Sequence, residues 1–250
     1  ASVDKLGHLF DLPIERTDGL LTFGEEGPAS VKLHHVTYGY PGHKYVLDDV
    51  TFEIAPSDRI ALTGDTGAGK SVLLDLIQGQ RPLSLGHLLI DQIDPRDLRP
   101  DVVRRAVALV RDVEIFEGTI SENVHLERPG ITSHEIQDVL KNLGILDVIL
   151  TLPDGLDTPL TPAGRPLSDN QCRLLMLARA IVGRPRLLLI DGLLDQLPDR
   201  LLADVVPRII APENPWTLIL ATGRQSLIDA CDRELNLSAM AADKAEKLVR

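Results

Sequence analysis

Eight consecutive residues carry the clearest chemical signal in the chain: Gly64-Asp-Thr-Gly-Ala-Gly-Lys70-Ser71. They match the spacing G-x-x-x-x-G-K-[ST]. Glycines at those points let backbone N–H groups turn inward around phosphate oxygens, and a helix beginning at the lysine adds the positive end of its dipole. The Lys70 ammonium reaches the β- and γ-phosphates of a nucleotide, and the Ser71 hydroxyl suits a Mg²⁺ ligand. The expected nucleotide contacts are Gly64, Asp65, Thr66, Gly67, Ala68, Gly69, Lys70, Ser71 and Val72. The bland alternative is an ordinary strand–helix turn. At ordinary glycine usage (~7%), a chance match in a chain of this length is about one in a hundred.

The flanking elements suit the loop. Arg59 to Thr63 reads as a short buried strand and Ser71 to Gln78 as an apolar helix. Upstream, Val31–Thr37 and Val46–Ile54 read as strands, the second alternating Val50, Phe52 and Ile54, with Pro41-Gly42 marking a turn between them. Downstream, a strand over His87–Ile90 and a short helix near Asp97–Arg104 are expected. Ala106–Val110, Arg186–Ile190 and Thr217–Ala221 are aliphatic runs of the kind buried in parallel sheets. Helical pattern covers Ser121–Ile149, with Thr132/Ser133 and Glu135 suited to a helix cap inside it, and Asn170–Val182, and Thr151–Pro166 reads as a loop. Pro207 should kink or end the helix between the last two strands. Leu6, Leu9 and Phe10 suggest an N-terminal helix ending before Pro13, and residues 17–30 read as a linker.

Composition bounds the function. The 250 residues carry 26 basic and 37 acidic side chains, a net charge of −11, and aromatics are only 3%. Such a chain is poorly suited to bind nucleic acid. A 44% hydrophobic content supports a real core. No apolar run approaches the ~20 residues of a membrane span, and no signal segment is evident. Cys172 and Cys231 form no C-x-x-C pair, as expected in a reducing compartment. No N-K-x-D guanine-selecting motif is present, which disfavours other P-loop NTPases.

The motifs together resemble the nucleotide-binding domain of an export-type ABC transporter, from about Ala1 to Cys231. Asp4-Lys-Leu-Gly-His-Leu-Phe-Asp-Leu-Pro13 is similar to the segment joining the last membrane helix to that domain. Val36-Thr-Tyr-Gly-Tyr40-Pro-Gly and Val46-Leu-Asp-Asp-Val-Thr-Phe52 are similar to its start, and Phe116-Glu-Gly-Thr-Ile-Ser-Glu-Asn-Val124 to the entry of its helical lobe. The resemblance implies that Tyr40 stacks on adenine; otherwise it is a packed strand-end aromatic. It implies that Asp191, closing Leu187-Leu-Leu-Ile, is the Walker B carboxylate that positions Mg²⁺ with Ser71; otherwise it is a turn Asp. The implied fold is α/β: a P-loop NTPase fold of the ABC ATPase type. It has a mostly parallel sheet, an antiparallel β subdomain and a helical subdomain at about 111–184. Residues 1–30 would be a linker from a membrane domain and 31–250 the ATPase domain.

The departures fall on the chemistry. The position of the family's water-polarising Glu is Gly192, and that of its switch His is Gly223. The position of its metal-sensing Gln is Arg111. The LSGGQ signature reads Leu167-Ser-Asp-Asn-Gln171, with Asp169 and Asn170 for the glycines. A positioned general base contributes about 10²–10⁴ in rate, so its loss separates binding from hydrolysis. No catalytic residue is therefore assigned, and Asp195 is the nearest substitute carboxylate in sequence. Arg111 admits two readings: a guanidinium that contacts the γ-phosphate and replaces part of the metal's charge, or a solvated arginine paired with Asp112 or Glu114.

The implied ligands are ATP and Mg²⁺. The implied partners are a second nucleotide-binding domain, in a homo- or heterodimer, and the transmembrane domain of the same transporter, at the cytoplasmic side of the membrane. The expected activity is coupling of nucleotide binding and dimer closure to transport, with hydrolysis weak or absent. The competing reading is a non-hydrolysing nucleotide-sensing or scaffolding module.

Overall fold

The computed structural model describes residues 21–24 and 26–240. The expected N-terminal helix lies outside them.

Three layers of sheet and helix position the glycine loop. The first is antiparallel: β1 (Val31–Gly39) pairs with β2 (Tyr45–Ile54) on one side and β4 (Leu85–Ile90) on the other. The central sheet is parallel. Its order is β10 (Arg233–Asn236), β3 (Arg59–Thr63), β9 (Thr217–Ala221), β8 (Leu187–Asp191), β5 (Val107–Val110). Between β3 and β4 runs α1 (Lys70–Ile77), and α2 (Pro100–Ala106) leads into β5. The helical layer holds α3 (Ile120–His125), α4 (Ser133–Asn142), α5 (Leu146–Leu150) and α6 (Asp169–Ile181), with a two-stranded ribbon of β6 (Gly118–Thr119) and β7 (Pro159–Leu160). Last come α7 (Asp199–Ile209) and the short α8 (Gln225–Ile228).

Strand periodicity splits the interior into two cores. Along β8, Leu188 and Ile190 join the core under the helical layer, while Leu187 and Leu189 join the core under α1. Along β9, Leu218 and Leu220 take the first side and Ile219 and Ala221 the second. All these side chains are buried, which is why both strands read as unbroken aliphatic runs. The buried Arg59 ties the bottom of this sheet to the end of α7. Its guanidinium donates to the Ser57, Trp216, Ile210 and Ala211 carbonyls.

Four expectations needed adjustment. The 121–149 stretch is three helices, the second starting at the expected Thr132 cap. Leu126 and Glu127 take left-handed conformations, Pro129-Gly130 follows, and Gly144 turns the chain again at φ 74°. Pro207 does not stop α7 at its own position: the helix continues to Ile209, so the proline sits in the last turn. There its missing N–H costs a single bond to Ala203. The strand around His87–Ile90 begins at Leu85 and completes the antiparallel sheet. Beyond Cys231, where the resemblance ends, β10 extends the parallel sheet beside β3.

Candidate functional site

The loop after β3 folds as its glycines require. Gly64, Gly67 and Gly69 have φ of 134°, 87° and 94°, a region that side chains with a Cβ rarely enter. A Cβ on Gly69 would lie 2.7 Å from the Leu47 side chain, so the close approach of β2 adds a second reason for glycine there. Gly69 begins α1 with no capping side chain and no acidic residue in the first turn, which leaves the positive helix end open to an anion. The Lys70 Nζ donates to the Gly64 carbonyl at 2.6 Å and the Asp65 carbonyl at 3.0 Å, lying back across its own loop. Asp65, Thr66, Gly67 and Ser71 are exposed, with Ala68 and Val72 half-buried. Beside the loop's Asp65–Ala68 arm opens a cavity of about 700 Å³, walled by Val46, Leu47 and Thr51 of β2 and by Ser238; its lining does not include Lys70 or Ser71.

Tyr40 stands just beyond β1, 41% exposed. The His43 N–H donates to the Tyr40 carbonyl at 3.0 Å across Pro41-Gly42, and Gly42 has φ 77°. Proline followed by a left-handed glycine is the signature of a type II turn. The ring meets Tyr38 edge-on at 5.6 Å, and the Arg81 guanidinium lies 5.6 Å from its centroid. Arg81 in turn donates to Asp75 at 2.7 Å.

Asp75 is a site residue that no sequence motif singles out. It lies four positions after Ser71 on α1, and so on the same helix face. Its one signal is a lone carboxylate inside the apolar run Val72-Leu-Leu-Asp-Leu-Ile. Its side chain is 6% exposed, and a buried carboxylate needs partners. It has two, Arg81 and Arg111.

Arg111 settles between segments distant in sequence. Its Nε donates to Asp191 at 2.7 Å, and its Nη2 donates to Asp75 at 2.8 Å and to the Ser71 carbonyl at 3.2 Å. It pairs with neither Asp112 nor Glu114, because the end of β5 points it back across the sheet toward the end of β8. Burial works against its charge, but the Asp75 and Asp191 carboxylates outweigh that and hold the guanidinium above the ordinary arginine value. Tyr40, Arg81, Asp75, Arg111 and Asp191 thus form one connected row, alternating in charge from Arg81 onward, along the open side of the loop.

The expected metal pair is Ser71 and Asp191. As folded, one oxygen of this pair is already engaged. The Asp191 Oδ2 already carries the Arg111 guanidinium at 2.7 Å. A 2+ ion brought to the same oxygens would meet that positive charge at close range.

After Asp191 the chain turns through Gly192 at φ 67°, with open space where a side chain would point. Asp195 accepts hydrogen bonds from the Thr222 hydroxyl and the Gly223 N–H, so it is committed to the segment after β9. Arg224 binds the Leu197 carbonyl at 2.7 Å and Asp199. At the start of α6 the Ser168 hydroxyl accepts from the Gln171 N–H, and the Gln171 side chain accepts from the Ser168 N–H at 2.7 Å. This is a complete capping box. Asp169 takes the first turn of that helix, where negative charge is favourable.

A family model for ABC transporters matches residues 47–194. The chain belongs to the ABC transporter family. An uncharacterised ABC transporter ATP-binding protein of Bacillus subtilis is 34% identical over 194 residues, covering 76% of this chain and 34% of its own length. A multidrug efflux ATP-binding/permease protein of Mycobacterium tuberculosis is 30% identical over 220 residues, covering 86% of this chain and 18% of its own. Among solved structures, a bacterial Atm1-family ABC exporter with ATP bound superposes with a TM-score of 0.81. It is 27% identical, covering 94% of this chain and 42% of that one. The chain therefore spans well under half the length of these relatives. The fold is that of an ABC exporter's P-loop ATPase domain, and no helix among the described residues is long and apolar enough to cross a membrane.

Proposed function

We propose that this ABC exporter ATP-binding domain keeps adenine nucleotide binding at the Gly64–Val72 loop and has lost most of its capacity for hydrolysis. In this reading Tyr40 offers its ring to adenine, and the open N-terminus of α1 together with Lys70 takes the phosphates. Binding energy that differs between open and closed arrangements of two such domains would be passed to a transmembrane domain at the cytoplasmic face of the membrane. Nucleic acid is no partner for a chain of net charge −11.

Gly192 carries the loss of hydrolysis. It stands next to Asp191, where a general base is needed, and it has no side chain to accept a proton. Asp195 offers no replacement, since its oxygens accept from Thr222 and Gly223. Geometry must precede pKa in choosing a base. No residue is assigned a catalytic role.

The test combines a thermal shift with a turnover assay on the full chain. ATP should raise the melting temperature, because a ligand that binds only the folded state stabilises it, and Lys70→Ala should abolish the shift. Phosphate release should stay at background. Clear turnover abolished by Lys70→Ala would refute the loss of hydrolysis, and an absent thermal shift would refute the binding.

A second reading, a sensing or scaffolding module, draws on the signature loop. Ser168 and Gln171 are engaged with each other, and Asp169 faces the solvent with a negative charge. ATP-driven dimerisation in analytical ultracentrifugation favours the transporter clamp; a monomer saturated with ATP favours the module.

A further inference from the structure

We propose that the Arg111 guanidinium is a built-in cation of the nucleotide site, so that the loop takes up the metal-free triphosphate about as well as its magnesium complex. This rests on the loop reading above and deepens it.

Three observations carry the proposal. The first is position. Arg111 holds the Asp191 carboxylate, where a metal contact was expected, at 2.7 Å, and reaches the backbone carbonyl of Ser71, not its hydroxyl, at 3.2 Å. Its charge therefore stands between the first turn of α1 and the end of β8, the side from which the loop reading brings the γ-phosphate.

The second is anchoring. Asp75 is almost fully buried and grips Nη2 at 2.8 Å, while Arg81 at 2.7 Å holds the other carboxylate oxygen. Hydrogen bonds between ionised partners are roughly twice as strong as neutral ones. With Asp75 on one side and Asp191 on the other, the guanidinium is held in place and does not need to be assembled by the ligand. Removing it would leave the Asp191 carboxylate unpaired in a site where it is only 12% exposed.

The third is spare capacity. A guanidinium has five N–H donors, and Nε and Nη2 account for all the partners found. The Nη1 group is unengaged among the described residues, and the side chain keeps 34% of its surface exposed. A planar fork with a free donor pair is suited to a phosphate oxygen.

Calorimetric titration of the full chain with ATP, once in EDTA and once with excess Mg²⁺, is the experiment. Dissociation constants within about threefold of each other are expected, and Arg111→Gln should weaken binding in EDTA at least about tenfold while Mg²⁺ restores it. Binding by the parent that is about tenfold or more tighter with Mg²⁺ overturns the proposal and leaves the loop reading intact. Failure of Mg²⁺ to rescue Arg111→Gln also overturns it, since a purely structural arginine would give that result. No heat under either condition overturns the proposal and the loop reading together. The comparison on the parent chain needs no variant, so the test stands even where Arg111→Gln does not fold.

Discussion

The Gly192 N–H donates to the Ala221 carbonyl at 3.0 Å, and this bond holds the turn after β8 against the end of β9 while Gly192 sits at φ 67°. The residue that should carry a base is thereby built into a left-handed turn. Placing a side-chain residue there costs roughly 1–2 kcal/mol. Gly192→Glu alone is expected to leave phosphate release near background, because the carboxylate pays that strain and no histidine stands at Gly223. A gain of about 10² or more in turnover, the low end of what a positioned base supplies, would show that the turn adapts.

Gly86 leaves no room for a side chain in the antiparallel sheet. A Cβ there would lie 2.2 Å from the His35 carbonyl oxygen, at a φ of 89°, opposite the irregularity in β1 where His35 itself is left-handed. Gly86→Ala is expected to cost well over 1 kcal/mol, with about 2–4 °C of melting temperature per kcal/mol. Gly42→Ala, at φ 77° in open space, carries the conformational strain without the clash and should cost less. Its effect should appear instead in nucleotide affinity, because it closes the turn beside Tyr40. Thermal melts of the two variants check the order.

Acid should loosen the helical layer through two capping boxes. The Glu122 carboxylate accepts from the Thr119 N–H at 2.7 Å, and Glu135 accepts from the Thr132 N–H at 2.9 Å. These backbone donors hold both carboxyls below the ordinary glutamate value. A depressed folded value means that the stabilisation is fully present above the unfolded value, about 4.3, and fades as pH falls through the folded one. The parent should therefore lose more melting temperature between pH 6 and pH 3 than Glu122→Gln/Glu135→Gln, which lacks both titrations. Parallel curves for the two proteins would refute the assignment.

Both cysteines should resist thiol reagents. Burial pushes the Cys231 thiol up to about 11 and raises that of Cys172, which sits against the Gly164 carbonyl. At pH 8 the Cys231 thiolate fraction is about 10⁻³, and the thiolate is the reactive form. Labelling of the native chain is expected to be slow at pH 8, to accelerate toward pH 10, and to reach two groups at once in denaturant. Rapid labelling at pH 7 would mean that Cys231 is far more open than its packing implies.

Local features are legible in the residues themselves. The Gly64–Ser71 spacing, the turn at Pro41-Gly42 and the boundaries of β3 and β9 follow from glycine conformations and from period-two burial, which act over a few residues. The α4 capping box is visible as Thr132 followed three positions later by Glu135. Less legible are β4 and β10, whose strands are defined by partners far along the chain. The break-up of 121–149 is legible in part, from Pro129-Gly130, Thr132 and Gly144, whereas left-handed Leu126 and Glu127 carry no compositional flag.

Residue identity and near neighbours were enough to establish that a glycine loop opens a helix here and that the central strands are buried; the family resemblance added that glycines stand where it expects base and switch. The role of Arg111 came from the three-dimensional arrangement alone. Its two carboxylate partners lie 36 and 80 residues away, on α1 and β8, and its near neighbours Asp112 and Glu114 take no part. A charge on a loop end has many local partners on offer. The sheet order, with β5 beside β8, is what brings the guanidinium to the two buried acids instead.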